Sequence, residues 1–153
     1  MRAIRKANAR LVPLEPRHAG IVPHLRRADV EEIWAMSGVS PRIAVAYTIA
    51  LSDPGWAVEL DGEPLAIFGA GRVSGTLGRP WLVGTDALER YPVHFFRVSR
   101  GIIDELLARY ERLENWTDAR NALSLRWLKW AGFHIEPAEP WGAEGRLFHR
   151  FWR

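Results

Sequence analysis

Three carboxylates, an indole beside two of them and two further tryptophans occupy positions where they could do chemistry. Asp86 closes the stretch "PWLVGTD", which reads as a strand, beside the hydroxyl of Thr85. Sites in α/β proteins often sit at the C-terminal ends of strands, and a carboxylate there can take an amine proton if burial lifts its pKa towards neutrality. The plain alternative is a Thr-Asp pair that opens a turn or caps a short helix at "ALER". Glu31 and Glu32 precede Trp34 in "EEIW", and a carboxylate beside an indole can receive a cationic amine. Read plainly, Glu32 is a solvated helix residue and Trp34 a core anchor. The five histidines, at 18, 24, 94, 134 and 149, show no close helical pairing, so no metal site is expected. No Ser-His-Asp order, phosphate loop or paired-carboxylate hydrolase pattern stands out.

The two tryptophans lie in "NALSLRWLKWAGF", Asn121 to Phe133. At about 100° per residue, Trp130, Leu123, Trp127, Ala131, Ser124, Leu128 and Leu125 fill one wide arc, and only Arg126 and Lys129 form a polar strip. Asn121 is a natural N-cap, and Gly132 supplies a left-handed stop. The chain holds 8 tryptophans in 153 residues, more than a core alone calls for. Tryptophan is enriched at interface centres, so the Arg126/Lys129 ridge is a candidate partner contact.

The elements that must position these residues follow from pattern. A length of 153 residues with 48% apolar and 25% charged content suits one globular domain. No segment approaches the roughly 18 apolar residues of a membrane span, and "MRAIRKANAR" lacks a signal-peptide core. The absence of cysteine excludes disulfides and thiolate zinc sites. The net charge of +3 is almost all arginine, in short clusters such as "RKANAR" and Arg26-Arg27, which makes a nucleic-acid module a distant third reading.

"ARLVPLEP" reads as an edge strand and "RHAGIVPHLRRADVEEIWAM" as a helical stretch in two pieces. "SPRIAVAYTIAL" is a helix capped by Ser40 with Pro41 in its first turn. "WAVEL" and "LAIFGAGRV" form a hairpin around Asp61-Gly62, and "PWLVGTD" completes an antiparallel meander. One long helix is expected from about Val93 to Leu113, then a strand in "ENWTD", the two-tryptophan helix, and strands in "FHIEPAEP" and "RLFHRFWR". The strand–helix–strand passage in the middle predicts a parallel, right-handed crossover. The sum is an α/β (α+β) chain, residues 1–153 as a single domain, with a mixed sheet of about seven strands and about four helices.

That order, with an Asn opening the last helix and Gly-Phe closing it, resembles the GNAT acetyltransferase fold. The resemblance implies that the fourth strand, "PWLVGTD", splays from the fifth, "ENWTD", and that the pantetheine arm of acetyl-CoA enters between them. Val83, Gly84, Thr85 and Asn121 would then touch the cofactor, and the Glu32–Trp34 region would wall the substrate pocket. The chain departs from the pattern twice. The glycine-rich loop that cradles the pyrophosphate on helix amides is replaced by "TDALERYPVHFFRVSR", with no glycine before Gly101 and with Asp86 and Glu89 in its place. A tyrosine that protonates the leaving thiolate in many members is Leu128 here.

"EIWAMSG", "PWLVGTD" followed by "SR", and "RWLKWAGF" together resemble a family of short-tailed-phage internal virion or core-assembly proteins described as GNAT-like. This likeness implies a role in virion morphogenesis or as an accessory factor, in the host cytoplasm and the virion interior. Its partner would be a phage structural or core protein, or further copies of the chain, and its acyl-CoA site would be degenerate. The alternative is an acetyl-CoA-dependent N-acetyltransferase acting on an amine.

Overall fold

Hydrogen bonding in the β-rich middle of the chain builds the frame on which everything else hangs. In the computed structural model, residues 9–90 and 92–153 are described; the basic lead, residues 1–8, lies outside them. Strands β1 (Ala9–Pro13), β2 (Ser52–Leu60), β3 (Glu63–Ser74) and β4 (Leu77–Gly84) form an antiparallel run. Its central hairpin turns at Asp61 and Gly62, with φ of 52° and 86°, the positive pair that a two-residue turn matched to strand twist requires. Strand β5 (Arg112–Asp118) lies parallel to β4, and β8 (Arg146–Trp152) pairs antiparallel with β5. The last strands are split: β6 (His134–Ile135) and β7 (Glu139–Trp141) each pair with β8, so the expected seven strands become eight. Pro137 between them cannot donate to a ladder, and Pro140 limits β7 in the same way.

Two helical layers cover the sheet. On one face a 3-10 segment (Pro16–His24), α1 (Arg27–Ser37) and α2 (Pro41–Leu51) pack on Ala57, Ile67 and Val83. Ser40 caps α2 by accepting the Ile43 N–H. His18 is buried here; the Glu15 N–H donates to its Nδ1, which leaves Nε2 to donate to Glu59 Oε1 at 2.9 Å. That tautomer fastens the 3-10 segment to β2. On the other face lie α3 (Asp86–Arg90), α4 (Pro92–Ser99), α5 (Ile102–Arg109) and α6 (Ala122–Trp130), over Val58, Phe68 and Leu113.

The single helix expected from Val93 to Leu113 is thus two helices, broken at Arg100-Gly101. Glycine costs roughly 1 kcal/mol in a helix interior, and Tyr110 is already extended, so Leu113 belongs to β5. In α6, Asn121 Oδ1 accepts the Ser124 N–H and Gly132 takes φ of 84°, as its sequence predicts. The apolar arc is narrower than expected: Trp127 and Leu128 are buried, whereas Trp130 is exposed together with Arg126 and Lys129.

The feature that matters most for function is where β4 and β5 part. They pair only at Leu77–Arg112 and Gly78–Leu113, then diverge. Pro80 explains the break, because it has no N–H to offer β5. Asn115 instead donates its side-chain N–H to the Pro80 carbonyl at 2.8 Å and accepts the Trp116 N–H, filling the start of the gap. At the hinge, a Cβ on Gly78 would lie 2.6 Å from the Tyr110 ring, which is buried and tied by its hydroxyl to the Asp53 carbonyl. Gly78→Ala is therefore expected to cost about 1–3 kcal/mol through overpacking. A urea midpoint equal to that of the unaltered chain would show that the hinge is not close-packed.

Candidate functional site

The open end of the β4/β5 wedge is closed by a buried polar network from α1. The register of β3 with β4, together with the Thr85 N–H donated to Leu65, fixes which β4 residues turn their backbone groups towards β5. They are Gly78, Pro80, Leu82 and Gly84. Gly84 is already satisfied: its N–H donates to Asp29 Oδ2 at 2.9 Å and its carbonyl accepts the Arg26 N–H. Leu82 has no strand beside it, so its N–H and C=O face the gap.

Asp29 and Glu32 stand three residues apart on one face of α1 and reach both arms of the wedge. Asp29 binds Gly84 on β4 and accepts from Asn121 Nδ2 at 3.1 Å. Glu32 Oε1 accepts from Thr117 Oγ1 at 2.9 Å and from the Asp118 N–H at 2.6 Å, both on β5. Arg26, 3% exposed, donates to Asn121 Oδ1 at 2.8 Å and lies 3.8 Å from Asp29. Its Nε faces Glu89 at 3.3 Å out of hydrogen-bonding alignment, and it is buried without a hydrogen-bond partner among the described residues.

The electrostatics follow from enclosure. Burial pushes the Glu32 carboxyl up to about 7, and the neighbouring Asp29 and Asp118 charges add to the rise against the Asp118 and Thr117 hydrogen bonds. Burial also raises Asp29, opposed by Arg26, the Gly84 N–H and Asn121. Burial would raise Asp118 as well, but the two-pronged Arg120 guanidinium outweighs it and holds that carboxyl below its ordinary range. One carboxylate is thus fixed as an anion, while its neighbour titrates near neutrality.

The residues singled out from sequence fall in different places. Glu32 and Asn121 are inside the network. Asp86 is exposed in the first turn of α3, and Val83 packs with Ala57 and Ile67 under α2 and the 3-10 segment. Thr85 donates its hydroxyl to Leu65, so it braces the strand end. Trp34 is 44% exposed, which removes it from the core, and Glu31 pairs with Arg27 and Arg120 at the surface. Arg126 and Lys129 are exposed on α6. Sequence reading missed Arg26, Asp29, Thr117 and Ser124. The i, i+3 spacing of Asp29 and Glu32 was the available signal for two carboxylates on one helix face. Among the described residues no group of His, Asp and Glu could hold a metal ion, and no helix is long and apolar enough to cross a membrane.

The overall fold recurs among solved structures. Ard1 from Thermoplasma volcanium superposes with a TM-score of 0.72 at 12% identity, over 95% of this chain and 96% of that one. The fold is that of the GNAT acetyltransferases. An acetyltransferase of the GNAT family from Streptococcus pneumoniae gives 0.67 at 14% identity, over 95% and 98% of the two chains. The structure of yncA from Salmonella typhimurium with its cofactor acetyl-CoA gives 0.65 at 13%, over 94% and 91%. No protein-family model and no curated protein sequence matches the chain.

The wedge fits one half of such a cofactor and not the other. The N–H and C=O of Leu82, turned towards the gap, suit the amide groups of a pantetheine arm. A nucleotide half at the start of α3, a five-residue helix, would meet Asp86 and Glu89, with no glycine between Thr85 and Arg100. Arg26, the buried cation nearby, is committed to Asp29 and Asn121.

Proposed function

We propose that the chain is an N-acyltransferase that uses a pantetheine thioester such as acetyl-CoA and an amine acceptor, with Glu32 as the general base. The observation that carries this reading is a half-buried carboxylate, hydrogen-bonded to β5, at the mouth of a β4/β5 wedge into which Leu82 turns its backbone groups. When bound, the thioester supplies an activated carbonyl and a thiol leaving group. Glu32 takes the amine proton, and its midpoint near 7 makes it both available and basic enough at neutral pH. The Leu82 backbone, turned towards the gap by the β3/β4 register, would hold the pantetheine arm through its amide groups. Asn121 and Arg26 hold α1 against α6 and keep Glu32 in place. The GNAT structures that superpose on this chain, one of them described with acetyl-CoA, support the donor class. The test is release of free thiol from acetyl-CoA with a panel of amines, and no release with any amine would set the reading aside.

The acidic, glycine-free start of α3 favours a second reading, in which the wedge is a relic and the chain works by contacts. In that reading, which rests on the resemblance of its sequence motifs to short-tailed-phage virion proteins, the chain would dock its Arg126/Lys129 ridge on a phage core protein or on another copy of itself. That setting would be the host cytoplasm or the virion interior.

Calorimetry separates the two. Acetyl-CoA and acetyl-pantetheine are expected to bind with affinities within a few-fold of each other, because the nucleotide finds no cradle. A hundredfold preference for acetyl-CoA, roughly 2.7 kcal/mol, would reveal a phosphate site that the geometry does not predict. No binding of either would leave the contact reading.

A further inference from the structure

We propose that Glu32, Thr117 and Ser124 form a proton relay across the sheet, with the Ser124 hydroxyl as the final donor to the departing thiolate; this rests on the acyl-transfer reading above. Thr117 is 2% exposed, and its Oγ1 lies 2.9 Å from Glu32 Oε1 and 3.1 Å from Ser124 Oγ. A threonine hydroxyl has one hydrogen, so it cannot donate to both. While Glu32 is ionised the charged acceptor takes that hydrogen, and Ser124 must donate to Thr117. Once Glu32 is protonated it becomes a donor, and both hydroxyls can reverse. The direction of the chain is therefore set by the protonation state of Glu32.

The placement of the three residues gives the relay a purpose. Glu32 comes from α1, over one face of the sheet; Ser124 sits in the first turn of α6, over the other. Thr117, near the end of β5, stands between them. One turn further along the same face of α6, Leu128 is buried and has no proton to give. Asn121 holds this arrangement, accepting the Ser124 N–H at 3.4 Å and lying 3.5 Å from Glu32 Oε2 through its Nδ2.

The step balances. The amine nitrogen bonds to the thioester carbonyl carbon, the carbon–sulfur bond breaks, and its electron pair goes to sulfur. The proton lost by nitrogen goes to Glu32. Glu32 then donates to Thr117, Thr117 to Ser124, and Ser124 to the thiolate, leaving an amide, a thiol and the original carboxylate. The transfer runs downhill, from a carboxyl near 7 to an ordinary thiol at roughly 8.5.

The experiment compares two donors, acetyl-CoA and an acetyl aryl thioester, with the panel of amines named above as acceptors. An aryl thiolate is a better leaving group that needs no proton to depart. Ser124→Ala should slow thiol release from acetyl-CoA at least about tenfold yet change the aryl reaction less than about twofold. Thr117→Val, which also removes a hydrogen bond from Glu32, should slow the acetyl-CoA reaction more than the aryl one. Thr117→Ser, which keeps the hydroxyl, should stay near the original rate with both donors. An equal loss on both donors, or no loss on acetyl-CoA, overturns the relay and leaves acyl transfer standing. Absence of thiol release by the unaltered chain from either donor overturns the acyl-transfer reading and the relay with it.

Discussion

Glu32→Gln is expected to abolish acyl transfer and, above pH 7, to make the protein harder to unfold. The loss of rate should be about 10²–10⁴-fold, the usual contribution of a positioned general base. The gain in stability follows from linkage. The Glu32 carboxyl has a midpoint of about 7 in the fold against an ordinary 4.5, so between those pH values the folded chain holds a proton that the unfolded chain has released. Stability therefore falls as pH rises from about 4.5 through 7. Ionising the enclosed carboxyl at pH 8 costs up to roughly 3 kcal/mol. Glutamine keeps an oxygen for the Thr117 and Asp118 donors and never ionises. Urea unfolding of both chains at pH 5 and pH 8 should show a gap that opens only at the higher pH. A glutamine chain that is less stable at pH 8, or that keeps its rate, would show that Glu32 is an ordinary solvated carboxylate.

Arg26→Ala and Arg27→Ala should differ by several kcal/mol although the two residues are neighbours. Arg26 is 3% exposed and joins α1, β4 and α6 through Asp29 and Asn121; Arg27 is 92% exposed and pairs with Glu31 in the next turn. Removing Arg26 leaves Asp29 buried without its cation, a change that costs about 3–5 kcal/mol when one partner of a buried pair is lost. Arg27 contributes an exposed i, i+4 pair, worth roughly 0.3–0.5 kcal/mol. Denaturant midpoints measure both, and equal midpoints would mean that the network is not a fastening. The same loss should release Glu32 from its place, so the Arg26→Ala chain is expected to lose acyl transfer as well.

Local signals made much of this fold legible. The Ser40-Pro41 start, the Asp61-Gly62 turn, the Asn121 cap and the Gly132 stop each depend on one or two residues with a strong backbone preference, and each appears where the pattern puts it. The parallel step from β4 to β5 followed from chain order. What stayed hidden depends on pairs distant in sequence. Arg26 reads as half of a basic doublet until Asn121, 95 residues later, folds back against it. Thr117 looks like any strand threonine until α1 brings Glu32 to its hydroxyl. The break at Gly101 was masked by apolar periodicity that continues through the turn. Asp86 attracted notice because it ends a strand, but α1 places Asp29 and Glu32 across the wedge instead, and Asp86 faces solvent.

A titration of the Glu32 side-chain carboxyl carbon by NMR, assigned by its disappearance in Glu32→Gln, tests the central claim without needing the acceptor amine. A carboxyl enclosed between α1 and β5 and poised to take a proton should titrate with a midpoint of about 7. A midpoint near the ordinary 4.5 would mean that water reaches Glu32, and that the wedge holds no base for acyl transfer.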